Sequence, residues 1–157
     1  MEKVTDATLP REILQGRPVV GGEGQGEALV TRMPLNFTAS FSKPGNILKS
    51  RRGAIMDRHH ELFKHNVKGR VLVFPACIGS TFTGMLLLQV LEDGAAPAAM
   101  VVQEADSLLV SGPLLGCAWF NHSFPVVEYK GNDLFTRIRT GDQVKVDGGT
   151  GSILVSR

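Results

Sequence analysis

The residues best suited to chemistry lie in one short segment, PACIGSTFTGM, which runs from Pro75 to Met85. It contains three hydroxyl side chains, Ser80, Thr81 and Thr83, and Gly79 directly precedes the serine. Hydroxyl groups bind anionic or hydroxylated ligands, and a serine becomes a nucleophile or a base when its surroundings favour the alkoxide. Serine and threonine are also favoured N-cap residues of helices, so capping alone explains one of the hydroxyl groups. From these residues alone, a ligand-binding loop and a simple turn remain equally open.

Two apolar runs flank this segment and predict where it lies in the fold. RVLVF, before it, predicts a buried strand, whereas STFTGMLLLQVLEDG has apolar residues near helical spacing and predicts a helix that ends at Gly94. The segment would then connect the carboxyl end of a parallel strand to the start of a helix. Ligands bind at this edge of open α/β sheets, and the free amides of a helix N-terminus favour an anion.

The other elements predict an α/β fold with an added β layer. The runs APAAMVVQ and FPVVEY predict two more buried strands around a helical segment, ADSLLVSGPLLGCAWF, which Pro113 is expected to end or kink. This β-α-β-α-β order predicts parallel strands. GGEGQGE predicts bulged or tightly turning β structure rather than a dinucleotide loop, because no helix follows it, and DGGTG predicts a closing hairpin. We expect an arm over residues 1–15 and a single domain over 16–157, with a β-barrel-like layer packed on a parallel α/β layer.

Composition narrows the class of function. The chain has 157 residues, 43% hydrophobic and 20% charged, with a formal net charge of +2, which is too weak to favour nucleic acid or a membrane surface. The basic run KSRRG is typical of a solvated loop. Two cysteines are too few for a disulfide framework or a metal cluster held by this chain alone, so we expect a cytoplasmic protein without a metal site of its own.

A second candidate group is DRHHELFKH, which contains Arg58 and His59. It lacks the HExxH spacing of a helical zinc site. Adjacent histidines on a polar loop are typical of a surface, and the functional alternative is that Arg58 or a histidine reaches a substrate carboxylate or positions the serine loop.

Several segments together resemble the small-subunit or swivel-domain part of the aconitase X family. They are GEGQGEALVT, PLNF, DRHHELF, GRVLVFPACIGSTFTGM and APAAMVVQEAD, in the order found in the family. The resemblance implies a swivelling β/β/α fold and a role in a hydro-lyase. It implies a large partner subunit that holds an iron or iron–sulfur centre, and a heterodimer with its active site at the subunit interface. On this chain Ser80 matches the catalytic serine, the base that removes a proton from a substrate carbon.

The resemblance also suggests a substrate and its contacts. The family's substrates are hydroxy acids or hydroxy imino acids, namely cis-3-hydroxy-L-proline and mevalonate 5-phosphate. The phosphomevalonate type is similar to GRGSSTGS at the loop, where this chain has Ile78 in place of the arginine and Met85 in place of the last serine. We therefore expect the hydroxyproline type, with mevalonate 5-phosphate as the alternative. The expected substrate-binding residues are Gly79, Thr81, Thr83, Arg58, His59 and Phe37.

Two functions outside hydro-lyase chemistry stay open. One is a non-catalytic binding module that keeps the swivel fold. The other is a phosphohistidine carrier, because the tail GDQVKVDGGTGSIL resembles the closing hairpin of the mobile domain in phosphoenolpyruvate-using enzymes. The comparable turn of those domains contains a histidine, and CIGSTFTG has none, which argues against phosphotransfer.

Overall fold

The computed structural model describes residues 11–42 and 52–157. These residues form eight strands and four helices. The strands are β1 (Arg11–Gln15), β2 (Arg17–Val20), β3 (Glu23–Val30), β4 (Val71–Phe74), β5 (Ala99–Val102), β6 (Val126–Glu128), β7 (Gln143–Asp147) and β8 (Ser152–Ser156). The helices are α1 (Phe37–Phe41), α2 (Thr83–Glu92), α3 (Ser107–Phe120) and α4 (Leu134–Arg137).

The strands form one mixed sheet that curls back on itself. Their order is β1-β8-β7-β3-β4-β5-β6-β2. The outermost strands, β1 and β2, are consecutive in the chain and separated only by Gly16, whose N–H donates to the carbonyl of Gly151 at 2.8 Å. The two ends of the sheet are therefore held together. This confirms the expected barrel-like β layer.

The central part of the sheet is parallel and carries the two long helices. Strands β3, β4, β5 and β6 pair in parallel, with α2 between β4 and β5 and α3 between β5 and β6. This is the predicted β-α-β-α-β unit. It places the carboxyl ends of β4, β5 and β6 along one edge.

Two hydrophobic cores lie on opposite faces of these strands. In β4, Leu72 and Phe74 pack with the helices, whereas Val71 and Val73 pack with residues of β7 and β8. All four side chains are fully buried. A parallel strand covered on both faces reads as an uninterrupted apolar run, which is why RVLVF predicts this strand so well.

The structure differs from the sequence-based expectation in two places. Residues 11–15 were expected in an arm but form β1. Leu14 of this strand is buried in the core that contains residues of β7 and β8. Residues 1–10 lie outside the described residues. Pro113 lies inside α3 without ending it, since the helix continues to Phe120. The prediction that the helix ends at this proline is wrong. The run KSRRG falls outside the described residues as far as residue 51.

The glycine-rich segment GGEGQGE is β structure with a tight turn, which is one of the two expected alternatives. Only Gly21 and Gly22 form the turn, with Gly22 at φ +107°. Gly24 and Gly26 lie in β3 and pair with β7 in unbroken register, so the predicted bulge is absent between these two strands. A Cβ at either position would overlap a neighbouring carbonyl oxygen, that of Ala98 or Gly69. These glycines therefore allow backbones to approach closely.

Candidate functional site

The segment between β4 and α2 is the predicted strand-to-helix connection, and two neighbouring segments hold it. The carbonyl of Pro75 accepts hydrogen bonds from the amides of Gln103 and Glu104, at 3.1 and 2.9 Å, in the loop that follows β5. On the other side, Leu35 donates to the carbonyl of Ala76 and accepts from the amide of Ile78, both at 3.0 Å. The first half of the loop is thus fixed by backbone contacts on both sides.

Ser80 follows this anchored half and is half-buried. Its Oγ accepts a hydrogen bond from the amide of Phe82 at 3.0 Å, and its carbonyl accepts from the amide of Thr83 at 3.3 Å. Two of the amides expected to be free near the start of α2, those of Phe82 and Thr83, are therefore engaged by Ser80 itself. A donor directed at Oγ stabilises negative charge on that oxygen, so the arrangement suits a base as well as a capping turn.

Gly79 gives the loop its shape. It adopts φ +97°, a conformation that side-chain-bearing residues rarely adopt. A Cβ at this position would lie 2.6 Å from Nδ2 of Asn36. The residue before Ser80 must therefore be glycine for both conformational and steric reasons.

The other residues predicted on this loop have distinct environments. Thr81 is exposed beside Ser80, where a ligand could reach it. Thr83 is buried, and its Oγ1 donates to the carbonyl of Ser80 at 2.9 Å. Thr83 therefore stabilises the loop from its buried side.

The side chains of the remaining predicted residues make no described hydrogen bond to the loop. Phe37 is 1% exposed and packs against Phe41 and Phe74, with ring centroids at 5.6 and 5.8 Å. It belongs to the core and does not face a ligand. Arg58 and His59 are exposed on a turn, and no described hydrogen bond connects either side chain to the Ser80 loop.

The described residues do not provide a metal site. No three His, Cys, Asp or Glu residues among them form a group that could hold an ion. Cys77 lies three residues before Ser80, but burial, together with the nearby charge of Asp106, raises the pKa of its thiol well above the usual range. Cys117 stands on the surface of α3. Residues 11–42 and 52–157 therefore offer no donor set that fits an iron centre.

Glu128 is a further residue of this edge that sequence analysis missed. Its side chain is 4% exposed at the end of β6; one carboxylate oxygen accepts from Arg17 at 3.0 Å and the other from the amide of Ala105, also at 3.0 Å. The hydrogen bond from Arg17 holds the pKa of this carboxyl below its ordinary value. Glu128 therefore fixes the loop that holds Pro75. A charged residue at the end of the apolar run FPVVEY was the available signal.

Asn36 is the second residue that was missed. It precedes α1, and its Oδ1 accepts from the amide of Ala39 at 3.0 Å. The signal for it was an asparagine, a favoured N-cap residue, before a short helical run.

None of the helices among the described residues is long and apolar enough to span a membrane.

Comparisons with known proteins agree with this fold. A family model described as the aconitase X swivel domain matches residues 13–155. The phosphomevalonate dehydratase small subunit of Methanocella arvoryzae is 32% identical over 143 residues, covering 91% of this chain and 98% of that subunit. The protein of the same name from Thermococcus sibiricus is 32% identical over 142 residues, covering 90% and 97%. The crystal structure of Thermococcus kodakaraensis aconitase X in its holo-form matches with a TM-score of 0.78 at 27% identity, covering 93% of this chain and 99% of that one.

These matches confirm the family suggested by the sequence motifs and the swivelling fold predicted from them. The family model spans most of the chain, and the relatives are matched over nearly their whole length. The chain therefore belongs to the aconitase X swivel-domain family and is of the dehydratase small-subunit type.

Proposed function

We propose that this chain is the small subunit of a mevalonate 5-phosphate dehydratase and supplies Ser80 as the base. The observation that carries the substrate is the near full-length match to small subunits named for phosphomevalonate dehydration. This reverses the preference for cis-3-hydroxy-L-proline drawn from Ile78 and Met85. Hydroxyproline remains the second candidate, because the exposed apolar side chains of those two residues add neither charge nor hydroxyl to the loop.

Both candidate substrates require the same proton abstraction from this chain. A proton leaves the carbon next to the carboxylate, its electron pair forms the new double bond, and the hydroxyl on the adjacent carbon departs. Ser80 would accept the proton on Oγ, where the amide of Phe82 already donates a hydrogen bond. Gly79 and Thr81 would border the substrate on either side of the serine.

A large partner subunit completes this proposal. Ile78, Phe82 and Met85 surround Ser80 and are 51%, 65% and 58% exposed. Contiguous exposed apolar groups mark protein interfaces. We infer that the partner covers this surface and closes the site over Ser80. It would also bring the iron centre, whose Lewis acidity would assist departure of the hydroxyl.

The test is a rate measurement on the assembled enzyme with both substrates. The chain is co-expressed with its large partner, and dehydration of mevalonate 5-phosphate and of cis-3-hydroxy-L-proline is compared. Ser80→Ala is expected to lower kcat/KM for the true substrate by roughly 10²- to 10⁴-fold, the usual effect of removing a general base. Ser107→Ala, on the exposed first turn of α3, is the matched control and should retain activity.

The outcomes separate the candidates. Turnover of hydroxyproline alone would replace the substrate assignment but keep the role of Ser80. Full activity in Ser80→Ala would overturn that role. A chain that copurifies with no partner and whose Ser80→Ala variant behaves as wild type would instead be a non-catalytic swivel module.

A further inference from the structure

Asn36 lies beside the loop that carries Ser80 although it is far from it in sequence. Its neighbour Leu35 forms a parallel bridge with Cys77, through backbone hydrogen bonds to Ala76 and Ile78 at 3.0 Å. This pairing brings the side chain of Asn36 to the level of Gly79. The position is fixed by backbone contacts and is independent of side-chain rotamers in the loop.

The amide of Asn36 lies against the backbone of Gly79. A Cβ on Gly79 would be 2.6 Å from Nδ2, 2.9 Å from Cγ and 3.1 Å from Oδ1 of Asn36. All three amide atoms thus face the residue directly before Ser80. The absence of a side chain at Gly79 is what leaves room for this amide.

The orientation of the amide is determined by its other contact. Oδ1 accepts a hydrogen bond from the amide of Ala39 at 3.0 Å, which identifies that atom as the oxygen because nitrogen cannot accept there. Nδ2 therefore carries two N–H groups on the opposite side. Neither has an acceptor among residues 11–42 and 52–157. Asn36 is only half-buried, so these donors are accessible to a ligand.

We propose that Nδ2 of Asn36 donates a hydrogen bond to the carboxylate of the substrate. The inference rests on the proposed function, in which Ser80 removes the proton next to that carboxylate. Because the carboxylate is one bond from the carbon that loses the proton, it lies close to the base, and a donor beside the residue that precedes Ser80 is placed to reach it.

The chemistry favours a donor at this position. As the C–H bond breaks, negative charge develops on the carboxylate oxygens, so a fixed N–H stabilises the transition state more than the bound substrate. Asn36 neither gains nor loses a proton. Its cap to Ala39 holds the amide in place before the substrate arrives, which removes the cost of orienting it.

Capping of α1 alone would also explain an asparagine here, so the experiment must separate the two roles. Asn36→Asp retains an oxygen that caps Ala39, has nearly the same shape and removes the donor. Asn36→Ser retains a capping hydroxyl and removes the amide. Asn36→Ala removes both. In the assembled enzyme we expect kcat/KM to fall roughly 10²-fold in all three variants, which is the usual effect of removing one hydrogen-bond donor to the transition state.

A pH profile adds a readout that a structural role would not move. In Asn36→Asp the ratio of variant to wild-type kcat/KM should rise as pH falls, because a protonated carboxyl regains a donor. Asn36→Ser should show no such recovery. Wild-type kcat/KM in Asn36→Asp, with loss only in Asn36→Ala, would overturn the proposal in favour of capping.

A binding measurement separates this proposal from the proposed function. The chain is labelled with ¹⁵N-asparagine and assembled with its partner, and the side-chain resonance that disappears in Asn36→Asp is followed as mevalonate 5-phosphate or cis-3-hydroxy-L-proline is added. A chemical-shift change of this resonance with the compound that is turned over supports the contact. If the enzyme turns the compound over and the resonance does not shift, the Asn36 contact is overturned while the proposed function stands. An assembled enzyme that binds neither compound overturns both proposals.

Discussion

Replacing Gly79 by alanine tests how tightly the loop before Ser80 is constrained. Two costs are expected. The first is conformational, because alanine must adopt φ +97°. The second is steric, because the new Cβ would lie 2.6 Å from Nδ2 and 2.9 Å from Cγ of Asn36, which must move and give up its hydrogen bond to Ala39.

The magnitude follows from these two parts. A non-glycine residue in a sparsely populated backbone region costs about 1–3 kcal/mol. Loss of an N-cap hydrogen bond costs about 1 kcal/mol more. Gly79→Ala should therefore lower the free energy of unfolding by roughly 2–4 kcal/mol. Displacement of the loop should also lower kcat/KM of the assembled enzyme.

Gly141 provides a matched control for the first part. It has φ +100°, and a Cβ there would meet nothing within 4 Å. Urea denaturation followed by far-ultraviolet circular dichroism measures both variants. Gly79→Ala should be less stable than Gly141→Ala by about 1 kcal/mol, the capping part. That excess should disappear in an Asn36→Ser background. Equal destabilisation in the two alanine variants would refute the steric part of this reasoning.

Two further predictions concern the supports of the site. Arg17→Met removes the main cause of the low pKa of Glu128. Because this pKa is lower in the folded than in the unfolded chain, the ionised carboxylate stabilises the fold above the ordinary carboxyl pKa. That contribution to the free energy of unfolding is lost as pH falls through the pKa of the folded state. The stability difference between wild type and variant, from urea midpoints, should therefore be larger at pH 7 than at pH 3, and an unchanged difference would contradict this. Gly84→Ala would place a Cβ against Oγ of Ser111 where α2 meets α3, and should cost about 1–3 kcal/mol, whereas the exposed neighbour Met85→Ala should change stability little by the same assay.

The sequence predicted the parallel core well because its physical signal is local. β4 is buried on both faces, so every residue from Val71 to Phe74 is apolar, and the helix that follows ends at Glu92, two residues before Gly94, which adopts φ +69°. Pro113 shows the limit of such signals. Proline normally interrupts a helix, but α3 is capped at both ends by Asp106 and Asn121 and packs along α2 through Gly112 and Gly116, so tertiary contacts outweigh the local preference.

The site was predicted only in part, because its geometry depends on contacts between distant segments. The strand-to-helix position of Ser80 follows from the order of elements. The pairing of Leu35 with Cys77, which brings Asn36 to Gly79, has no counterpart in local sequence. Phe37 shows the reverse case. It lies in a family-like motif beside the site, yet its ring packs in the core.

The hydrogen bonds of Ser80 also indicate which kind of group is missing around a serine base. A serine alkoxide needs more stabilisation than one neutral donor gives, and the described contact to Oγ is the single amide of Phe82. No lysine, arginine or histidine in the described part of the chain hydrogen-bonds to this serine. Arg58, which was expected to reach a substrate carboxylate or to position the serine loop, is exposed on a separate turn. If Ser80 is the base, a cationic group beyond these described contacts must assist it, and we propose that the subunit covering Ile78, Phe82 and Met85 supplies a basic side chain at that interface.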